Sequence, residues 1–392
     1  MTPTLRHAAR TAAAVCIAPA AATGAYRLAL LAAAARPLAP PPQRAPRTRF
    51  VVLVPAHDEE AGVGATVAAV LREAYPPELL RVVVVADNCT DATAEVARAA
   101  GADVLERDDP DHRGKGAALA WAIPQLLDDA DAVVLLDADC APGPGLLAAF
   151  DRRLQGGARV VQADYRVANP SASPQAALRY AGFALQNTIR PAGRSRLGCS
   201  AGVSGTGIAF SRAALQAHPW NAFTFAEDRE YHLTLVAGGE RVDFAPEAAV
   251  TSPMPTTAAA ARSQEARWES GRGTLLRTRA PALLGAGLHD RRIAAVDAAL
   301  EPAVPPQSLW AALNVAGFAL ALVSGRRALV AAGAFGVAAQ AVFVLGGLLV
   351  AGAPGSVWRA LATDAPVFAA RRIVRAAGSS GPDEWVRTER AA

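Results

Sequence analysis

Between Phe50 and Ala163 the chain alternates two kinds of segment. Short apolar, β-branched runs (Phe50–Val54, Arg81–Ala86, Ala132–Leu136, Ala158–Ala163) are separated by Ala/Leu stretches of helical length (Val63–Glu73, Asp91–Ala100, Gly116–Leu127, Gly145–Leu154). A continuous apolar strand is one buried on both faces, and strands separated by helices pair in parallel, so the pattern predicts a doubly wound, mostly parallel α/β sheet. Sheets of this kind bind ligands beyond the carboxyl ends of their strands. The chemistry is therefore expected just after each apolar run.

The flanks carry a different pattern. Residues 1–36 hold Arg6 and Arg10 and then an Ala-rich stretch interrupted by Pro19 and Arg27, which reads as a signal peptide, a weak membrane helix or an interfacial helix. A Pro- and Arg-rich linker, 37–47, follows, and Pro40-Pro41-Pro42 discourages any helix there. Far downstream, Leu309–Val323 and Ala328–Ala353 carry no charge. The second is long enough to cross a hydrocarbon core of about 30 Å, and Gly325-Arg326-Arg327 between them predicts a hairpin. The expected layout is a membrane or interfacial helix (1–36), the linker, a catalytic domain (48–272), an interfacial helical segment (273–306), a transmembrane hairpin (307–353) and a tail (354–392).

Composition narrows the class. The hydrophobic share is 52% and the net charge is +4, carried by arginine because Lys115 is the only lysine. The arginines are scattered and aromatics make up only 6%, so no basic, aromatic-interleaved face for nucleic acid exists. Cys16, Cys89, Cys140 and Cys199 form no C-x-x-C pair, which argues against zinc and against a disulfide framework.

The strand ends are acidic. Val133-Val134-Leu135-Leu136 runs into Asp137-Ala138-Asp139, and carboxylates at i and i+2 of an extended chain point the same way, as a hard cation requires. Pro55-Ala56-His57-Asp58-Glu59-Glu60 follows the first run and Asp87-Asn88-Cys89-Thr90-Asp91 the second. Helix capping by Thr90 or Asp91, and a macrodipole role for Glu59 and Glu60, account for part of this. They do not account for acids at the ends of three strands of one sheet. Gly62-Val63-Gly64 lacks the third glycine of a dinucleotide fingerprint, and Arg113-Gly114-Lys115-Gly116 lacks the hydroxyl of a P-loop. Lys115 nonetheless ends a loop from which it can reach a phosphate. Ser204-Gly205-Thr206-Gly207 allows close backbone approach to a ligand. Glu227 and Asp228 stand among aromatic residues that favour a raised carboxyl pKa and a general base. Gln264, Arg267 and Trp268 share one side of a predicted helix.

In order, PAHDEE, ADNCTD, DAD, SGTG, AED and QEARW resemble the motifs of the family 2 glycosyltransferases with a GT-A fold, in the membrane-embedded branch that includes cellulose, chitin and hyaluronan synthases. The resemblance covers residues 48–272 and continues into the hairpin. It implies that Pro55, Glu59 and Asp87 hold the nucleoside of a UDP- or GDP-linked sugar. Asp137 and Asp139 engage the diphosphate through Mg²⁺ or Mn²⁺, and Asp139 is the more direct ligand. Asp228 is the base, and Gln264, Arg267 and Trp268 border the acceptor and the diphosphate. The implied reaction is an inverting single displacement. Such a donor is cytosolic, which disfavours cleavage of the N-terminal segment as a signal and implies a multi-pass membrane protein with its catalytic domain on the cytoplasmic side. Asp58 stands where asparagine is commoner, and Ala226 replaces the threonine of T-E-D. Trp385-Val386-Arg387-Thr388 only loosely resembles the W-G-T-R segment of hyaluronan synthases. At most three membrane helices are available, so a lipid-like acceptor is expected rather than a secreted polymer. The competing readings are a processive synthase subunit, a nucleotidyltransferase of related fold, and a membrane scaffold with a degenerate transferase domain.

Overall fold

The computed structural model describes residues 3–256 and 269–376. They form two compact units, 3–37 with 170–197 and 304–376, and 38–169 with 198–256 and 269–303. The expected boundaries at 48, 272 and 306 are thus crossed twice. Residues 170–197 cluster with the long apolar helices, and the helices at 280–300 cluster with the sheet.

The sheet unit is built on eight strands: β1 (Phe50–Ala56), β2 (Leu80–Asp87), β3 (Asp103–Arg107), β4 (Ala132–Leu135), β5 (Ala141–Pro142), β6 (Val160–Val167), β7 (Ile208–Ser211) and β8 (Val242–Ser252). Their order is β3-β2-β1-β4-β7-β6-β8-β5. Strands β1, β2 and β4, three of the predicted apolar runs, pair in parallel around β1, and β3, which the sequence pattern did not predict, joins β2 in parallel. Beyond β4 the sheet is mixed: β7 runs antiparallel to both β4 and β6, β6 and β8 are parallel, and β5 opposes β8.

The apolar runs are continuous because both faces are covered. Phe50, Val52, Val54, Val82 and Val84 pack into one core with Val63, Val67 and Val70 of α2 (Val63–Leu71) and Leu146, Leu147 and Phe150 of α5 (Leu146–Gln155). The alternate residues Val51, Leu53, Val83 and Val85 are equally buried, and α4 (Lys115–Leu126) lies against β1 and β2. Each such side chain contributes about 1.5–3 kcal/mol of burial. Two further helices of this unit, α3 (Thr93–Ala99) and α9 (Glu227–Ala237), begin close to acidic residues, α3 behind the turn that follows β2 and α9 at Glu227 itself.

The sequence expected residues 280–300 to form a separate interfacial segment. In the structure α11 (Ala280–His289) and α12 (Ile293–Leu300), which follow the helical stretch α10 (269–278), pack onto Leu233 and Val236 of α9 through Leu283, Ala295, Ala298 and Ala299. Leu288, Ile293 and Leu300 remain exposed.

The other unit contains α1 (Pro3–Ala34), α13 (Gln307–Ser324) and α14 (Arg327–Val350). All three have a stretch long and apolar enough to cross a membrane, which for the first is Ala9–Ala34. Pro19 lies inside α1, which continues through it as one helix. The helices pack through small residues: a Cβ on Gly317 would meet Cys16 and Ile17, and one on Gly333 would meet Phe318 and Ile17. Arg27 is only 3% exposed. Its guanidinium donates to Gln340 Oε1 (2.5 Å) and lies 5.5 Å from the ring centroids of Trp310 and Phe343, while Gln340 donates onward to Gln307 (3.0 Å). The amphipathic helices α6 (Pro174–Phe183), α15 (Gly355–Thr363) and α16 (Ala365–Ala376) belong to the same unit, α6 and α15 sharing one apolar cluster.

Candidate active site

Six of the eight strands run the same way, so their carboxyl ends form one rim. Because β7 is reversed, it brings its leading residues, Gly205 and Thr206, to that same rim. The crevice expected of such a sheet opens where the chain, having built β1, β2 and β3 to one side, returns to place β4 on the other.

The turns after β1 and β2 lock each other. Asp58 and Asn88 both adopt positive φ (53° and 52°), a conformation that aspartate and asparagine tolerate better than other side chains. Asp58 Oδ1 accepts from the Thr90 backbone N–H (2.6 Å), Asp91 Oδ2 from that of Glu60 (3.1 Å), and Glu60 Oε2 from that of Ala92 (3.0 Å). The Glu59 N–H donates to Thr93 Oγ1 (2.7 Å). Much of the acidity after the first two strands is therefore used on backbone, the blander of its two readings. Although Asp58, Cys89 and Asp91 each bring one ligand atom within 4.8 Å of the others, these carboxylates are committed to holding the turns.

The acids after β4 are placed differently. The Asp137 N–H donates to the hydroxyl of Thr206, which is fully buried. Thr66 Oγ1 of α2 donates to the carbonyls of Ala138 (2.8 Å) and Cys140 (3.0 Å), fixing the turn. One ligand atom from each of Asp137, Asp139 and Cys140 lies within 4.8 Å of the others. Burial and the two neighbouring aspartates push the Cys140 thiol well above its ordinary pKa, so it stays protonated. That leaves two carboxylates, a hard oxygen set that fits Mg²⁺ or Mn²⁺.

Lys115 sits beside them. Its ammonium forms an ion pair with Asp137 Oδ1, donates to the Gly205 carbonyl (2.7 Å) and lies 4.0 Å from Glu227 Oε1. Burial disfavours the charge, but Asp137 and Glu227 outweigh it and the pKa is raised, so the lysine is a fixed cation. Its neighbour Gly116 has to be glycine, because a Cβ there would lie 2.2 Å from the Ala222 carbonyl. Gly205 (φ +76°) presents its Cα side to Asp228, whose Oδ2 would be 3.5 Å from a Cβ at that position. The Glu227 and Asp228 carboxyls are both raised above their ordinary pKa, principally by burial. For Asp137 too, burial leads and the net shift is upward, despite the pull of Lys115.

A model of the family described as glycosyltransferase like family 2 matches residues 46–271. The chain belongs to that family. It is 25% identical over 231 residues to the probable glycosyltransferase YdaM of Bacillus subtilis (strain 168), covering 56% of this chain and 54% of YdaM. The chain thus spans about half the length of that curated relative. Among solved structures, the mannosyltransferase PcManGT from Pyrobaculum calidifontis, in complex with GDP-Man and Mn²⁺, superposes with a TM-score of 0.55 at 23% identity, covering 87% of this chain and 99% of its own. That likeness confirms the fold.

In this family 2 glycosyltransferase the structure gathers Lys115, Asp137, Asp139, Gly205, Thr206, Glu227 and Asp228 around one crevice. Pro55 is the penultimate residue of β1 at the same rim, and Asp87 ends β2, where its Oδ1 accepts from Arg107. Gln264, Arg267 and Trp268 lie outside the described residues, as does the tail segment Trp385–Thr388. Two supporting residues escaped the sequence reading. Gln162 of β6, 1% exposed, donates to the carbonyls of Thr206 (2.9 Å) and Gly207 (3.1 Å) and accepts from Ser204 N (2.9 Å), gripping the loop from behind. Glu230 accepts from the N–H groups of Phe223 and Thr224 (3.0 Å each) and from Arg279 (3.1 Å), shaping the approach to Glu227. A buried glutamine in an apolar strand was the one available signal.

Proposed function

We propose that the protein is a membrane-bound, metal-dependent, inverting glycosyltransferase that moves a sugar from a UDP- or GDP-linked donor to a membrane-associated, lipid-like acceptor. The observation that carries this reading is the only lysine of the chain, held as a half-buried cation between Asp137, the Gly205 carbonyl and Glu227 at the mouth of the sheet. Asp137 and Asp139 would hold Mg²⁺ or Mn²⁺, and the bound ion would supply charge against the departing diphosphate. Asp228 accepts the proton of the acceptor hydroxyl as its oxygen bonds to the anomeric carbon. The bond to the diphosphate breaks on the opposite face, which inverts the centre. Lys115 and Arg267 receive the nucleoside diphosphate, and the proton passes from Asp228 to solvent. Pro55, Glu59 and Asp87 would hold the nucleoside, and Gln264 and Trp268 would border the acceptor.

Three candidate spans imply a topology: residues 38–303 and the tail in the cytoplasm, the start of α1 and the turn at Gly325–Arg327 outside. Screening UDP- and GDP-sugars against the protein purified in detergent, with nucleoside diphosphate release as readout, tests the activity. Excess EDTA should stop turnover, and full activity in EDTA would remove the metal from the reading. Single cysteines in a background free of the native four test the topology. An impermeant reagent should label position 326 but neither 290 nor 380.

A further inference from the structure

Strand β3 ends on Arg107, an arginine the proposed reaction does not use. Its side chain is 6% exposed, and its guanidinium reaches two places at once. Nη1 donates to Asp87 Oδ1 (2.6 Å), while Nη2 donates to Asp109 Oδ2 (2.7 Å) and to the His112 carbonyl (2.8 Å). Asn88 completes the arrangement. Its Nδ2 also donates to Asp87 Oδ1 (3.0 Å), its Oδ1 accepts from the Asp109 N–H (2.9 Å), and its own N–H donates to the Arg107 carbonyl (2.7 Å). Both bonds to Asp87 fall on Oδ1, so among the described residues Oδ2 receives none. The loop folded by Nη2 runs from Asp108 to Gly114 and delivers Lys115 to Asp137 and Gly205. A planar guanidinium with parallel donors is the group suited to such a two-armed contact; an ammonium is not.

We propose that Arg107 is the positioning residue for the nucleotide half of the donor: one arm turns Asp87 so that a single oxygen is left for the base, and the other folds the loop that brings Lys115 to the diphosphate. This rests on the functional reading above and extends it, coupling the two ends of the bound nucleotide through one buried side chain. The guanidinium of Arg107 is spent on Asp87, Asp109 and the His112 carbonyl, so its effect on the reaction runs through these groups and belongs to nucleotide binding.

The test uses the full-length protein in detergent, titrated with UDP and GDP and assayed with the sugar nucleotide that turns over. Arg107→Gln should raise both the nucleoside diphosphate Kd and the donor KM by about tenfold or more, the scale of a lost charge-assisted bond. The kcat per folded molecule should change less than KM. Arg107→Lys should recover part of the loss, and Asp109→Asn, which leaves the Asp87 arm in place, should cause a smaller rise in KM. A role in folding alone would lower the active fraction, and so kcat, with KM unchanged; that result overturns the proposal. Should Arg107→Gln fail to fold, Arg107→Lys and Asp109→Asn decide, and an unaltered KM in both overturns it. A wild-type protein that binds no nucleoside diphosphate overturns the functional reading and this proposal with it, whereas wild-type binding matched by the variants overturns this proposal alone.

Discussion

Lys115 of the sheet unit and Arg27 of the helical unit are both cations largely withdrawn from water, and their settings are opposite. Lys115 in the sheet unit meets a carboxylate, a backbone carbonyl and a second carboxylate at longer range. Arg27 in the helical unit meets an amide oxygen and two aromatic faces, with no carboxylate among its partners. A cation held by acids at a crevice mouth can exchange one anion for another, so an arriving phosphate group competes with Asp137 for Lys115. Arg27 bonds only neutral groups and feels the charge of a second arginine, Arg190, so among the described residues it has no anion to exchange. On the proposed reading the same charge would serve ligand binding in one unit and helix registration in the other.

Predictions that sharpen this contrast run from large effects to small. Asp228→Asn keeps the shape of the base and removes its proton affinity, so kcat should fall by about 10²–10⁴ with the donor KM nearly unchanged. Because burial raises this carboxyl, and a base works only when ionised, the wild-type rate should be lost as pH falls through a value above the ordinary aspartate range. A rate of Asp228→Asn equal to wild type would transfer the role to Glu227. Lys115→Met removes the exchangeable cation at similar length. Turnover should drop roughly ten- to a hundredfold, and nucleoside diphosphate should lose more affinity than nucleoside does. Equal loss for both ligands would show that the lysine only holds the fold. Arg27→Ala should leave KM and kcat of the folded protein alone and cost about 2–4 kcal/mol of stability, by emptying the space between the helices and stranding Gln340. Thermal unfolding in detergent measures the loss, and a change in donor KM would break the contrast.

The sequence exposed one half of the sheet better than the other. Runs such as Val82–Ala86 announce themselves because both faces are buried, and the acids that follow β1, β2 and β4 stand where sheet geometry expects ligands. Strand β3 was missed because Asp103-Val-Leu-Glu-Arg107 is a half-exposed edge strand with polar residues at both ends. Strands β7 and β8 were missed because their pairing depends on segments far away in sequence: β8 joins β6 with a shift in register at Ala163/Asp164. Within the site, Asp137, Asp139 and Lys115 were legible from local sequence. The residues that shape the loops around them, Arg107, Gln162 and Glu230, act across 20 residues or more or on backbone groups, and no spacing rule marks those. The unit boundaries were missed for a related reason, since residues 170–197 carry arginines and polar residues that disguise membership of the apolar unit.

The distance along the chain between α1 and its partners has a consequence for how the protein is made. Helix α1 is complete at Ala34, yet the helices it packs against, α13 and α14, end only at Ser324 and Val350. At about 5–20 residues per second, a ribosome needs roughly 15 seconds to a minute to supply them. Over that interval Arg27 has neither Trp310, Gln340 nor Phe343 beside it, while strands β1 to β4 are already available to pair once Leu135 has emerged. On the proposed membrane topology, nascent α1 is accommodated first by lipid or by the insertion machinery, with its arginine solvated by water or headgroups, and it meets α13 and α14 only after the whole sheet unit has been made.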